Sequence, residues 1–176
     1  MQGLIMTMTA MLFSSVLWAQ NQPLSPPATA TGKVKGGATI TINYSSPGVK
    51  GRQIWGALVP YDKVWRAGAN AATTFQTDKD IKVEGKDLKA GKYTLYAIPG
   101  EKEWTIIFNS QTMNGDKPLW GIKMDGSTTD DPAKDALRVT VKPRKSKAMQ
   151  ERLQYVIDQN GFSLVWENLE VPVAIK

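Results

Sequence analysis

Short runs of alternating apolar and polar residues, separated by turn-forming clusters, constrain this chain more than any other feature. Residues 39–44 put Ile40, Ile42 and Tyr44 on one face. Residues 92–98 do the same with Tyr93, Leu95 and Ala97, residues 104–109 with Trp104, Ile106 and Phe108, and residues 137–143 with Leu137, Val139 and Val141. A period of two is the signature of a half-buried strand. Further strands are expected at 73–77, 81–83, 152–158, 162–167 and 169–175, the last an edge strand because of Pro172. Turns fall at 84–86, at 99–102 and at Asn160-Gly161. About nine short strands with little helix fit a mainly β fold, a single antiparallel β-sandwich of Greek-key-like connectivity. Residues 88–93 have the spacing of a tyrosine corner, in which the Tyr93 hydroxyl reaches back to the backbone of a crossing connection.

One stretch breaks the pattern. Residues 44–75 are dense in aromatics, glycine and cations and have no simple period. Short helical turns are expected within 51–66, with Ile54, Trp55 and Leu58 inward, Pro60 as a stop, Val64 and Trp65 packed, and Lys63 and Arg66 free to reach out. Residues 68–72 are all small, as close backbone approach or a ligand facing backbone amides requires. Lys50, Arg52, Tyr61, Arg66, Asn70 and Thr73 are therefore the candidate ligand-binding residues. Guanidinium groups there suit a carboxylate, phosphate or sulfate. The competing reading is internal: Arg52 and Arg66 pair with acids such as Glu84 or Glu167 and staple the irregular stretch to the sandwich.

Composition removes several chemistries. The chain of 176 residues is long enough for one domain with its own core. It has no cysteine and no histidine, so disulfides, imidazole bases, Ser-His-Asp triads and histidine metal sites are excluded, and neither a metal nor another cofactor is expected. The formal charge is +6, which keeps the chain soluble and also favours anionic partners. Residues 4–19 are mostly apolar and uncharged and read as an export signal ending at Ala19, although no Lys or Arg precedes them. Residues 20–31 read as a Pro/Ser/Ala/Thr linker, extended and poorly ordered, and 32–176 as the domain. No other apolar run is long enough to span a bilayer. The protein is thus expected in the periplasm or outside the cell, where nucleic acid is the least natural anionic partner.

Other features carry less. Of the six tryptophans, Trp18 belongs to the signal, Trp104 and Trp166 are expected in the core, and Trp55 and Trp65 are expected to be packed. Trp120 is the single anchor of a long polar loop over 110–136, and also the ring with the best chance of meeting solvent and stacking on a sugar. Asp78 with Asp80, or Asp130 with Asp131, are the only carboxylate pairs considered for hydrolysis; both look like turn acids, and no catalytic residue is assigned. Lys142, Arg144, Lys145 and Lys147 form a basic turn over 143–149.

Residues 49–52 (VKGR), 58–61 (LVPY), 64–73 (VWRAGANAAT) and 90–96 (AGKYTLY), followed by 137–143 (LRVTVKP) and 164–173 (LVWENLEVPV), together resemble the secreted bacterial family catalogued as domain of unknown function 2911. The resemblance covers roughly residues 25–176; residues 112–131 look longer than the family's usual loop. It implies an exported, sandwich-like single domain and no particular reaction. The expectation is a non-catalytic binding module for an anionic small molecule or a glycan. The alternatives are a structural or interaction protein of the cell envelope and a carboxylate-dependent hydrolase.

Overall fold

A computed structural model describes residues 24–176. The expected export signal and residues 20–23 of the expected linker lie outside the described residues. The strands, in chain order, are β1 (Pro27–Lys33), β2 (Thr39–Ser45), β3 (Thr74–Thr77), β4 (Ile81–Val83), β5 (Lys86–Leu88), β6 (Gly91–Ile98), β7 (Trp104–Asn109), β8 (Met113–Asn114), β9 (Lys117–Pro118), β10 (Asp135–Val141), β11 (Arg144–Asp158) and β12 (Gly161–Ala174).

Six of them make one antiparallel sheet in the order β1-β2-β3-β6-β7-β10. Its register aligns the apolar rows that the alternation predicts. Ile42 faces Phe75 and Phe75 faces Tyr93; Leu95 faces Phe108 and Phe108 faces Leu137; Ala97 faces Ile106 and Ile106 faces Val139. The second layer is the long β11–β12 hairpin, extended by β4 and β5. Lys82 and Lys176 exchange backbone hydrogen bonds of 2.8 and 2.9 Å, and the Glu84 amide donates to the Ala174 carbonyl at 2.9 Å. Leu153, Phe162, Leu164, Trp166, Val171 and Val173 from the hairpin close on Ile40, Phe75, Leu95, Trp104 and Phe108 from the sheet. Each large apolar side chain buried there contributes about 1.5–3 kcal/mol.

The chain leaves the first layer after β3 and returns at β6. Tyr93 stands at that return, its hydroxyl donating to the Lys89 carbonyl at 2.8 Å, as the tyrosine-corner spacing predicts.

Four expectations change. Residues 27–31 are not linker but most of β1, paired along its length with β2; Pro27 is tolerated as the first residue of an edge strand. Residues 144–149 are not a turn but the start of β11, where their charges lie on exposed positions opposite β12. The two strands expected over 162–175 are one strand, kinked where Glu167 takes a φ of 53°. Residues 51–66 hold hydrogen-bonded turns, such as Val59 N–H to the Ile54 carbonyl at 2.9 Å, rather than helix. Left-handed backbone at Lys50, Gly51, Gly56 and Asp62 interrupts any helical run.

Residues 110–134 cover the outer face of the first sheet. Thr94 and Asn109, fully buried there, bond to the loop: Thr94 Oγ1 donates to the Gln111 carbonyl at 2.7 Å and Asn109 Nδ2 to the Asp131 carbonyl at 2.9 Å. Tyr96 Oη and Thr129 Oγ1 are 3.0 Å apart. The loop's packed anchor is Leu119, 5% exposed, rather than its neighbour Trp120, which is 56% exposed.

Candidate functional site

The irregular stretch becomes a site because its ends are tied to regular structure. Trp65 exchanges two backbone hydrogen bonds with Ala97 of β6, at 2.7 and 2.9 Å. Ala67, in left-handed backbone at φ 53°, has its carbonyl held by two hydroxyls, Thr73 Oγ1 at 3.0 Å and Tyr155 Oη at 2.8 Å. Arg66 lies between these two fixed residues, so its direction is set by the sheet on one side and the hairpin on the other. Gly68 follows because nothing larger fits: a Cβ there would lie 2.6 Å from Thr73 Oγ1.

Below Arg66 four indoles pack together. Trp55 meets Trp104, Trp166 and Trp65 edge-to-face at centroid distances of 5.0, 5.7 and 6.0 Å, and Trp65 stacks on Trp166 at 6.1 Å with planes 17° apart. The buried Nε1 groups of Trp55, Trp104 and Trp166 have no hydrogen-bond acceptor. The edge-to-face geometry around Trp55 offers ring faces in place of one, a weak but favourable contact.

Above this floor opens a cavity of about 330 Å³. Its apolar wall is Leu58, Val59, Val64, Trp65 and Trp166; its cations are Arg52, Lys63 and Arg66. The far wall comes from the long loop, through Gly121, Ile122, Gly126 and Thr128. Gly121 takes a φ of 83° and passes so close to Ala72 that a Cβ would lie 3.0 Å from its methyl group, which seats the loop against the back of Arg66.

The electrostatics of this cavity are one-sided. No Asp or Glu lines it. Among the described residues, the ion pairs involve Lys82, Lys89, Arg138, Lys142 and Arg144, and none involves Arg52, Lys63 or Arg66. Arg52 spends Nε and Nη2 on the Val49 and Gly48 carbonyls, at 3.1 and 2.6 Å. Arg66 Nη1 is buried and has no hydrogen-bond partner, and burial lowers the pKa of this guanidinium from its ordinary value. The acids named as internal partners are elsewhere engaged or absent from the cavity: Glu84 Oε1 accepts from the Ala174 amide at 2.6 Å, and Glu167 forms no ion pair with either arginine.

The six candidate residues divide. Arg52 and Arg66 line the cavity. Thr73 is fully buried and acts on it indirectly, by holding the Ala67 carbonyl. Asn70 is exposed and donates from Nδ2 to the Ser25 carbonyl at 3.0 Å, clamping the chain before β1. Tyr61 lies against Gly56, and Lys50 is exposed with its amide on Glu151 Oε1 at 2.9 Å; neither lines the cavity. Lys63 belongs to the set and was legible as a cation beside Arg66. Trp166 and the loop wall join from more than fifty residues away, a distance no local pattern spans.

Both carboxylate pairs are engaged in local hydrogen bonds. Asp78 is held below the ordinary carboxylate pKa by the Thr39 amide, and Asp80 by Lys89 and the Ala90 amide. Asp130 accepts from Thr128 Oγ1, and Asp131 caps the Pro132–Lys134 turn through the Ala133 amide at 3.0 Å.

No curated protein matches this chain, and no solved structure matches it. The segments that carry the resemblance (VKGR, LVPY, VWRAGANAAT and AGKYTLY) fall on the cavity, its supports and the tyrosine corner. Residues 25–175 match the profile of the family described as protein of unknown function (DUF2911), and the chain belongs to that family.

Proposed function

We propose that the protein is an exported, non-catalytic binding module whose ligand is a small anion-bearing molecule held in the Arg66 cavity. The observation that carries this reading is the charge of the cavity: Arg66, half-buried and without an ion pair among the described residues, stands there with two further cations and no carboxylate, and its Nη1 is buried without an acceptor. A buried donor left unsatisfied costs about 1–3 kcal/mol. A bound carboxylate, phosphate or sulfate would supply the compensating charge and acceptors for the cations of the lining. The envelope-staple reading requires the same side chains to be saturated by internal partners; Arg52, which donates to the Val49 and Gly48 carbonyls, fits it in part, and Arg66, whose Nη1 has no partner among the described residues, favours the binding reading.

Thermal denaturation against a panel of phosphate, sulfate, small carboxylates, uronic acids and neutral sugars tests the proposal. At a hundredfold excess over Kd a ligand adds about 2.7 kcal/mol of stability, a shift of several degrees. The expected result is a shift with one anionic class, absent in Arg66→Ala. A shift with neutral sugars that survives Arg66→Ala would move the site to another surface, and no shift with any anion would end the reading.

A further inference from the structure

The lining of the cavity narrows the ligand further. We infer, resting on the anion reading above, that the ligand is an anionic amphiphile: one acidic head seated on Arg66, Arg52 and Lys63, joined to a hydrocarbon body. Sugars and nucleosides present hydroxyls and ring edges that need many donors and acceptors. This lining has no Asp, Glu, Asn or Gln, and its neutral polar side chains are Ser25 and Thr128. Everything else near the cations is apolar: Leu58, Val64, Ile122 and the Trp65–Trp166 stack.

Exposed apolar side chains stand in the lining and next to it in the chain. Leu58 lines the cavity and is 46% exposed. Trp120 is 56% exposed and precedes Gly121 of the wall; Met124 is fully exposed between the wall residues Ile122 and Gly126. Cations and apolar side chains thus share one cavity, half-buried Arg66 near the Trp65–Trp166 stack and exposed Arg52 and Lys63 near exposed Leu58, which matches a ligand with an acidic head and a hydrocarbon body. Covering such side chains is favourable in proportion to the area removed from water.

The head chemistry is shared by a free alkyl phosphate or fatty acid and by an anionic lipid in a bilayer, and the test separates these sources. Methyl phosphate, octyl phosphate (below its micellar concentration) and octanol are titrated into the purified protein, read by calorimetry and tryptophan fluorescence. Each buried methylene adds roughly fourfold in affinity, so octyl phosphate should bind at least about tenfold tighter than methyl phosphate. Leu58→Ser, in the cavity wall, should shrink that advantage, and an undiminished advantage would overturn the amphiphile. Arg66→Gln should weaken both phosphates. Equal affinity for the two phosphates, still dependent on Arg66, would overturn the amphiphile and leave the anion site standing. Octanol binding as tightly as octyl phosphate would overturn both, as would no binding at all. Sedimentation with phosphatidylcholine vesicles, with and without phosphatidic acid, names the source. Capture by the acidic vesicles that Arg66→Gln abolishes supports a bilayer lipid; no capture, with octyl phosphate still bound, supports a free amphiphile. Capture that Arg66→Gln leaves intact, without octyl phosphate binding, overturns the inference in favour of general surface charge.

Discussion

The cleft beside Arg144 and the cavity around Arg66 treat a guanidinium in opposite ways. Arg144 reaches Glu170 with two hydrogen bonds, Nη2 to Oε1 at 2.7 Å and Nε to Oε2 at 3.1 Å. Ser163 Oγ donates to the same carboxylate at 3.1 Å, and the hydrogen bond from Arg144 holds Glu170 below the ordinary carboxylate pKa. Glu84, Glu103 and Asp158 line that cleft as well. Arg66 is more buried than Arg144, and it has no acid. An acid thus stands beside the exposed guanidinium of Arg144, where it is inexpensive to leave alone, and among the described residues none stands beside the half-buried one of Arg66, where it is more costly. The proposed anion site rests on that contrast, and it can be broken by measurement.

The largest effect is expected from the floor under Arg66. Trp104→Ala should cost about 3–5 kcal/mol in urea unfolding, because it empties a fully buried position shared by two other indoles. A cost below 1 kcal/mol, on the scale of a surface change, would mean that the platform is not packed as described. Arg66→Met comes next and should go the other way, raising stability by about 1 kcal/mol while abolishing the response to anions, since an unpaired buried donor is replaced by an apolar side chain of similar length. A fall of several degrees in Tm would show that Arg66 has an internal partner, and the contrast between the two sites would collapse.

Tyr155→Phe should lose about 1 kcal/mol at neutral pH through the bond to the Ala67 carbonyl. It should also change the alkaline limb. Burial pushes the Tyr155 hydroxyl well above its ordinary value of 10.0. The folded state thus favours the protonated form, so its contribution is complete below the unfolded value and is lost as pH rises beyond it. The variant's stability should fall less steeply in that range; identical slopes in both proteins would exclude Tyr155 as a source. The smallest effect is expected at the paired arginine. Arg144→Met should lower Tm slightly at pH 7, and the difference should vanish in acid. Glu170 has a lowered pKa, so its contribution is present above the ordinary carboxylate range and lost as pH falls through the folded value. A larger loss from Arg144→Met than from Trp104→Ala would reverse the ranking on which the comparison stands.

The sheet and the site were unequally legible in the sequence. Alternation placed β2, β6, β7 and β10 within a residue or two, because the face packed on the second layer carries an apolar side chain at every other residue. The tyrosine corner was readable for a related reason: its hydrogen bond is local, from Tyr93 to Lys89. β1 was missed because Ala and Thr on an edge strand bury little and carry a weak apolar signal. The site was half legible. Arg52 and Arg66 stood out as cations in an irregular stretch. Nothing in the sequence told Asn70, which clamps the Ser25 carbonyl, from a ligand contact, or brought Trp166 and Gly121 beside Arg66. Those relations depend on how two layers and a long loop meet, and that is fixed by packing across the whole chain.

The stack of Trp65 on Trp166 has a mechanical consequence. Trp65 is bonded to β6 in one layer, and Trp166 belongs to β12 in the other. A molecule bound there, as proposed, would bear on both layers at once, as a removable rivet between them. Its arrival should therefore be felt far from the mouth, as slower amide hydrogen exchange at Ala97 and along β12, and as a higher force needed to shear the layers apart.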